Sequence, residues 1–256
     1  MAVESATSED AVLGGRLLLR QPLKGHRVGH DGILLAAACA ARPGQHLIDL
    51  GAGVGAAGLA VARRVPDLAV TLVELDPALA VLARENAAGN GLAERVRAVC
   101  LDVAARPAAF AAAGLAPDTA DHVLMNPPFN AEHHPSPERG RRLAHTGSEA
   151  AVRRWLNTAA RLLRSAGSLT LIWRADRLDV LLAALAPRFG GVLVLPIHPK
   201  PGAPAIRVLV RALKASRAPL SLLPGFVLAD DAGRPSAAAE AVLRDGAVLA
   251  WPGHGA

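Results

Sequence analysis

Tyrosine is absent from this 256-residue chain, aromatic residues make up 3% of it, and cysteine and methionine occur twice each. Two cysteines cannot build the disulfide framework of a small secreted module. A chain that is 52% hydrophobic and 20% charged is also too apolar to be a disordered segment. Cys39 and Cys100 both stand among apolar neighbours, so each is expected to be a buried free thiol, as suits a reducing cytoplasm. Long apolar runs are missing as well: the longest, 33–41, falls far short of the roughly 20 residues that cross a bilayer. Residues 1–10 are acidic and polar, unlike a secretory signal, and a cytoplasmic location with no membrane partner follows as the expectation. What remains is a globular chain, long enough to bury roughly 70–75% of its unfolded surface without disulfides or a structural metal.

Lysine is scarce too, being limited to Lys24, Lys200 and Lys214, so arginine supplies nearly all of the positive charge behind the formal +6. Acids are missing from 16–30, which carries +4, and from 198–217, which carries +5; residues 139–164 set seven arginines against Glu149. These three stretches sum to +15 and leave −9 for the rest. Basic segments on a neutral-to-acidic body suit a polyanion if the fold brings them to one face.

From 46 onward, short β-type runs alternate with Ala-, Leu- and Arg-rich helical stretches. The strand candidates are 46–50, 69–74, 96–101, 121–125, 168–173 and 191–197, which predicts an α/β domain with a mainly parallel sheet. A seventh run, 206–213, follows too closely for a crossover helix and must pair antiparallel with the sixth. Ahead of the sheet the pattern predicts a short strand at 17–19 and a helix over 31–41. Behind it come two short strand-like pieces around Pro224-Gly225 and a helix over 236–244.

The first strand ends in Asp49-Leu50-Gly51-Ala52-Gly53-Val54-Gly55. Glycines there allow a sharp turn and let a cofactor lie against bare backbone at a helix N-terminus. Taken alone the turn is ambiguous, because Gly51, Gly53 and Ala56 also satisfy a dinucleotide fingerprint, with Glu74 at the spacing of a ribose-binding acid. Asp49 separates the readings. A carboxylate there would repel two phosphates, whereas S-adenosylmethionine brings a cationic sulfonium and an amino group. Glu74 is expected to grip the ribose hydroxyls and Asp102, after the third strand, the adenine amino group. Asp76 followed by Pro77 reads as a helix cap.

After the fourth strand stands Asn126-Pro127-Pro128-Phe129. A conjugated exocyclic amine is a poor nucleophile until its nitrogen becomes tetrahedral. The Asn126 side-chain oxygen and the Pro127 carbonyl can each accept one of its N–H groups, aiming the lone pair and stabilising the positive charge that develops. The prolines fix the backbone that carries these acceptors, and Phe129 offers a face on which a flipped-out base can stack. The adjacent His133 and His134 lack acids or thiols at ligand spacing, so no metal is expected.

Residues 46–129 resemble the class I amino-methyltransferases with a small methyltransferase domain. Within these, Val28-Gly29-His30-Asp31-Gly32-Ile33-Leu34-Leu35, the glycine turn, the tetrapeptide and Arg-x-x-Ala-His at 141–145 are similar to the tRNA(Val) adenine N6-methyltransferase family. His30 stands where that family has threonine, and Phe129 where many members have tyrosine. The resemblance implies a Rossmann-like α/β fold: seven strands, mainly parallel with an antiparallel last strand, and helices on both faces. It also implies S-adenosyl-L-methionine as cofactor, with Asp31 joining Asp49, Gly51, Ala52, Gly53, Gly55, Glu74 and Asp102 around it. A leading extension, 1–45, would cover the cofactor site, a core would run over 46–215, and 216–256 would pack on the core. Loops after parallel strands share one edge, so Arg139, Arg141, Arg142, Lys200 and Arg27 are expected to meet a structured RNA, first of all a tRNA, with a monomer favoured. The same tetrapeptide suits the N2 group of a ribosomal RNA guanine or a protein glutamine amide, and the glycine turn alone would suit an NAD-dependent dehydrogenase.

Overall fold

A computed structural model describes residues 6–23, 27–127 and 139–251, with 139–148 as helical backbone only. The chain opens with an antiparallel hairpin, β1 (Thr7–Val12) and β2 (Leu17–Pro22), followed by helix α1 (His30–Ala38). The alternating pattern then unfolds as β3 (His46–Leu50), α2 (Ala56–Arg64), β4 (Ala69–Glu74), α3 (Pro77–Gly89), β5 (Val96–Cys100), α4 (Pro107–Ala112), β6 (Ala120–Met125), α5 (Arg139–Leu162), β7 (Leu163–Arg174) and α6 (Leu178–Leu185). It closes with β8 (Phe189–His198), β9 (Arg207–Lys214), β10 (Ser221–Leu222), β11 (Phe226–Val227) and α7 (Ala237–Leu243).

The large sheet runs β5-β4-β3-β6-β7-β9-β8-β10, with β11 also on β8. Pairs from β5 to β7 are parallel, and β9 enters antiparallel between β7 and β8. The seven expected strands are therefore joined by two short ones that extend the edge beyond β8. Strands buried on both faces read as near-continuous apolar runs, which is why β3, β4 and β6 were legible. One core cluster packs α1, α2 and α7 on one face, around Leu34, Leu59, Leu124 and Leu209; the other packs α5 and α6 on the opposite face, around Val123, Leu156, Leu171 and Leu181.

Two findings depart from the sequence reading. Cys39 is buried, and loss of hydration pushes its thiol up to about 11; Cys100, expected to be buried too, is exposed because it ends the edge strand β5. The N-terminal strand is a hairpin whose first arm is polar. Its second arm is held by α3, where Asn86 and Asn90, one turn apart, act as a substitute strand. Asn86 accepts from Arg20 N (2.8 Å) and donates to Arg20 O (3.0 Å), while Asn90 accepts from Leu18 N (3.0 Å) and donates to Leu18 O (2.7 Å). The C-terminal segment is tied to α1 by Leu249 N to Ala37 O (2.9 Å) and Trp251 Nε1 to Ala38 O (3.0 Å). No described helix is long and apolar enough to cross a membrane.

Candidate active site

The loops after β3, β4, β5 and β6 leave from one edge, as the parallel order requires. Gly51, Gly53 and Gly55 take φ values of +70°, +58° and +93°, so the turn needs residues without a Cβ. Leu50 pairs with Met125, and Gly51 and Asn126 therefore leave adjacent strands side by side. Around Gly53 the space a Cβ would enter is open, with no atom within 4 Å. Glu74, at the end of β4, accepts from Gly53 N (2.8 Å) through Oε2 and from Asp76 N (2.9 Å) through Oε1, which fixes its carboxylate beside that opening. A carboxylate offers about four acceptor positions, so capacity for a diol remains.

Asp49 lies deeper than a ligand contact would need. It is buried, and its carboxylate accepts from Gly58 N (2.9 Å) inside the first turn of α2. Loss of hydration pushes its pKa up to about 7; the Gly58 N–H bond opposes this, and the Glu74 charge adds to it. Gly58 was missed in the sequence, although it continues the glycine spacing: a Cβ there would lie 3.2 Å from Asp49 Oδ2 and overlap Leu72. Asn86, also missed, donates to Val54 O (3.0 Å), so the side chain that docks the hairpin also holds the glycine turn. Asp76 caps α3, accepting from Ala78 N (2.8 Å), with Pro77 in the first turn. Asp102 is exposed after β5 and accepts from Ala104 N (2.7 Å).

Asn126 follows β6 directly. Its Oδ1 is buried and has no hydrogen-bond partner among the described residues, a costly state for an amide oxygen unless a donor arrives from a ligand. Pro127 is buried; Pro128, Phe129, His133 and His134 lie outside the described residues. Trp155 of α5 closes the side of the glycine turn, its ring lying where a Cβ on Gly51 would stand, with Cζ3 2.9 Å from that point. Among the described residues, no group of three or more His, Cys, Asp or Glu is gathered as a metal site.

Among the described residues, several members of the basic stretches are held by acids or carbonyls. Arg27 is held by Asp10 (2.6 Å), Ser8 Oγ (3.1 Å) and Pro22 O (3.1 Å), and Arg20 by Glu85 (2.9 Å), while Arg16 binds the Asp245 carbonyl. Arg164 and Lys214 sit at the opposite sheet edge, on Asp121 (2.6 Å) and Asp118 (2.5 Å). Asp31 pairs with Arg207 (2.9 Å), which ties the start of α1 to the β8–β9 hairpin. Lys200 is exposed in the loop of that hairpin, at the site edge. Arg139, Arg141 and Arg142 stand in the first turn of α5, and their side chains lie outside the described residues. Arg153 and Arg154 are exposed further along the same helix.

A seven-strand core with β9 inserted antiparallel, a glycine turn whose acid is Glu74, and a buried amide acceptor after the fourth parallel strand define an S-adenosylmethionine-dependent methyltransferase. Residues 27–195 match the model of the methyltransferase small domain, and the chain belongs to that family. Among its relatives is the tRNA1(Val) (adenine(37)-N6)-methyltransferase of Bacteroides thetaiotaomicron, 28% identical over 72% of this chain and 75% of the relative. The enzyme of that name from Porphyromonas gingivalis is 32% identical over 59% of this chain and 60% of the relative. Among solved structures, a predicted O-methyltransferase from Agrobacterium tumefaciens superimposes with a TM-score of 0.72 at 31% identity, over 86% of this chain and 98% of its own. TrmN from Thermus thermophilus gives 0.51 at 26% identity, over 71% of this chain and 46% of its own.

Proposed function

We propose that this chain methylates the exocyclic amino group of a nucleobase in RNA, first of all N6 of a tRNA adenine. The observation that carries this reading is the buried, unpartnered Oδ1 of Asn126 beside the glycine turn. The residues fit S-adenosylmethionine: the opening over Gly53 and the fixed Glu74 carboxylate suit its ribose, with Gly51, Ala52, Gly53 and Gly55 as the floor and Asp102 at the adenine end. When bound, that group supplies a methyl carbon on a cationic sulfonium. Asn126 Oδ1 accepts one N–H of the target amine, and the Pro127 carbonyl accepts the other. Pro128 stiffens this segment and Phe129 stacks on the base.

Asp49 acts from beneath, holding the start of α2 through Gly58, and Asp31 acts through Arg207 to hold the hairpin that carries Lys200. Lys200, Arg139, Arg141 and Arg142 are proposed to meet phosphate, which supplies affinity with little sequence choice. Arg27, already committed to Asp10, is the weakest member of that set. The names of the Bacteroides and Porphyromonas relatives support the adenine reading. The Agrobacterium neighbour's description raises a hydroxyl acceptor as a second reading. Two paired acceptors suit an amine; a hydroxyl would need a base to take its proton.

Asn126→Ala tests the assignment. The expected result is a fall in turnover of about 10²–10³-fold, with S-adenosylhomocysteine affinity unchanged. Retained turnover would remove the role given to Asn126.

A further inference from the structure

We propose that Trp155 and Thr158 are positioning residues of the methyltransferase: from one face of α5 they hold both loops assigned above to the cofactor. The inference rests on that assignment of the loops. Three positions apart, the two side chains lie on the same side of the helix. The turn at Gly51 follows β3 and the loop at Val103 follows β5, strands two places apart in the sheet and so about 10 Å from each other. The long indole reaches the first loop and the short hydroxyl the second.

At Gly51 the backbone is anchored to β4, where Gly51 N and Ala52 N both donate to Val73 O (2.8 and 3.0 Å). The place of its missing side chain is taken by Trp155: beyond the chain neighbours, the three atoms nearest to a Cβ there all belong to the indole ring. Without that ring, a glycine at φ +70° has more conformational freedom than any other residue, and a ligand would have to order it on binding. At Val103 the contact is polar. Thr158 is buried, and its Oγ1 donates to Val103 O (2.8 Å), the carbonyl next along the chain from Asp102. A threonine inside a helix can satisfy its hydroxyl on the carbonyl one turn back; this one bonds across to the loop instead. Core packing alone would be served as well by valine.

The experiment measures S-adenosylhomocysteine affinity of the full chain by calorimetry, with urea unfolding of each variant alongside. Thr158→Val, which keeps the shape and loses the donor, is expected to bind about three- to tenfold more weakly, and Thr158→Ser to recover the wild-type affinity. Trp155→Ala is expected to bind about five- to thirtyfold more weakly, the cost of fixing one residue's backbone. Gly51→Ala is expected to weaken binding in wild type, where its Cβ would overlap the indole (Cζ3 at 2.9 Å), and to do so by a factor about threefold or more smaller in Trp155→Ala; the strain of φ +70° is common to both backgrounds and cancels. Val152, buried on α5 one turn earlier, touches neither loop's backbone in this way, so Val152→Ala is expected to lower the urea midpoint and leave affinity unchanged. Wild-type affinity in Thr158→Val and Trp155→Ala, additive effects of Gly51→Ala and Trp155→Ala, or an equal loss in Val152→Ala would overturn the positioning role. No binding of S-adenosylhomocysteine by wild type would instead overturn the assignment of the loops to the cofactor.

Discussion

Two buried titratable groups give the chain opposed responses to pH. Asp49 titrates near 7 when folded, above its ordinary 3.8, so it binds a proton more tightly in the fold. Its stabilisation is complete below about pH 4 and is lost as pH rises through about 7. His122, packed at the start of β6, is lowered to about 4, chiefly by loss of hydration, with Asp121 opposing and nearby arginines assisting. Its stabilisation is complete above about pH 6.5 and is lost as pH falls through about 4. Upper limits are about 4 kcal/mol for Asp49 and about 3 kcal/mol for His122. Their slopes oppose between about pH 4 and 6.5, so cofactor-free wild type is expected to show nearly flat stability there in urea unfolding. Asp49→Asn, which keeps an acceptor for Gly58 N, is expected to become more stable as pH rises from about 4 to 6.5, to level off above that, and to exceed wild type by about 2–4 kcal/mol at pH 8. An unchanged profile would show that Asp49 is hydrated and outside the core. At this scale Asp49 was legible because an acid before a glycine turn is unusual; its burial was not, because that depends on Gly58 from the next helix.

At the scale of elements, Asn86 is the joint between the hairpin, α3 and the glycine turn. Asn86→Ala strands the N–H and C=O of Arg20 and removes the donor to Val54 O. Losses of this kind lead to an expected destabilisation of about 2–4 kcal/mol, against about 1 kcal/mol for the more exposed Asn90→Ala. Cofactor affinity is expected to fall with Asn86→Ala alone, since only Asn86 reaches the turn; equal effects on affinity would contradict this. The strands of the parallel core were legible from their apolar runs and the β8–β9 hairpin from the shortness of its connection. The first strand was not, because Thr-Ser-Glu-Asp-Ala-Val has no apolar stripe and its pairing is enforced from β2, which asparagines on a distant helix hold in place. The insertion of β9 between β7 and β8 was equally hidden, because pairing order follows from the whole sheet.

For the whole molecule, charge along the chain and charge on the fold are different quantities. The three basic stretches total +15, yet several of their members are bound to Asp10, Glu85, Asp118 and Asp121 or lie at the far edge. Linear clustering could not show this, since each partner is distant in sequence. Arg153→Ala with Arg154→Ala is expected to lower the salt slope of tRNA binding by about 0.7–0.9 for each phosphate that these arginines no longer neutralise. Arg164→Ala should leave it unchanged, and a slope that responds to Arg164 would mean RNA reaches the opposite edge. The membership of the chain in the methyltransferase small domain family bears on the chemistry, and family membership removes the nicotinamide alternative. The most direct test of the central claim is nucleoside mass analysis after the wild-type chain is incubated with methyl-labelled S-adenosylmethionine and total RNA from a strain lacking the gene. The account predicts label in N6-methyladenosine from the tRNA fraction; label confined to protein, or to a hydroxyl-methylated product, would contradict it.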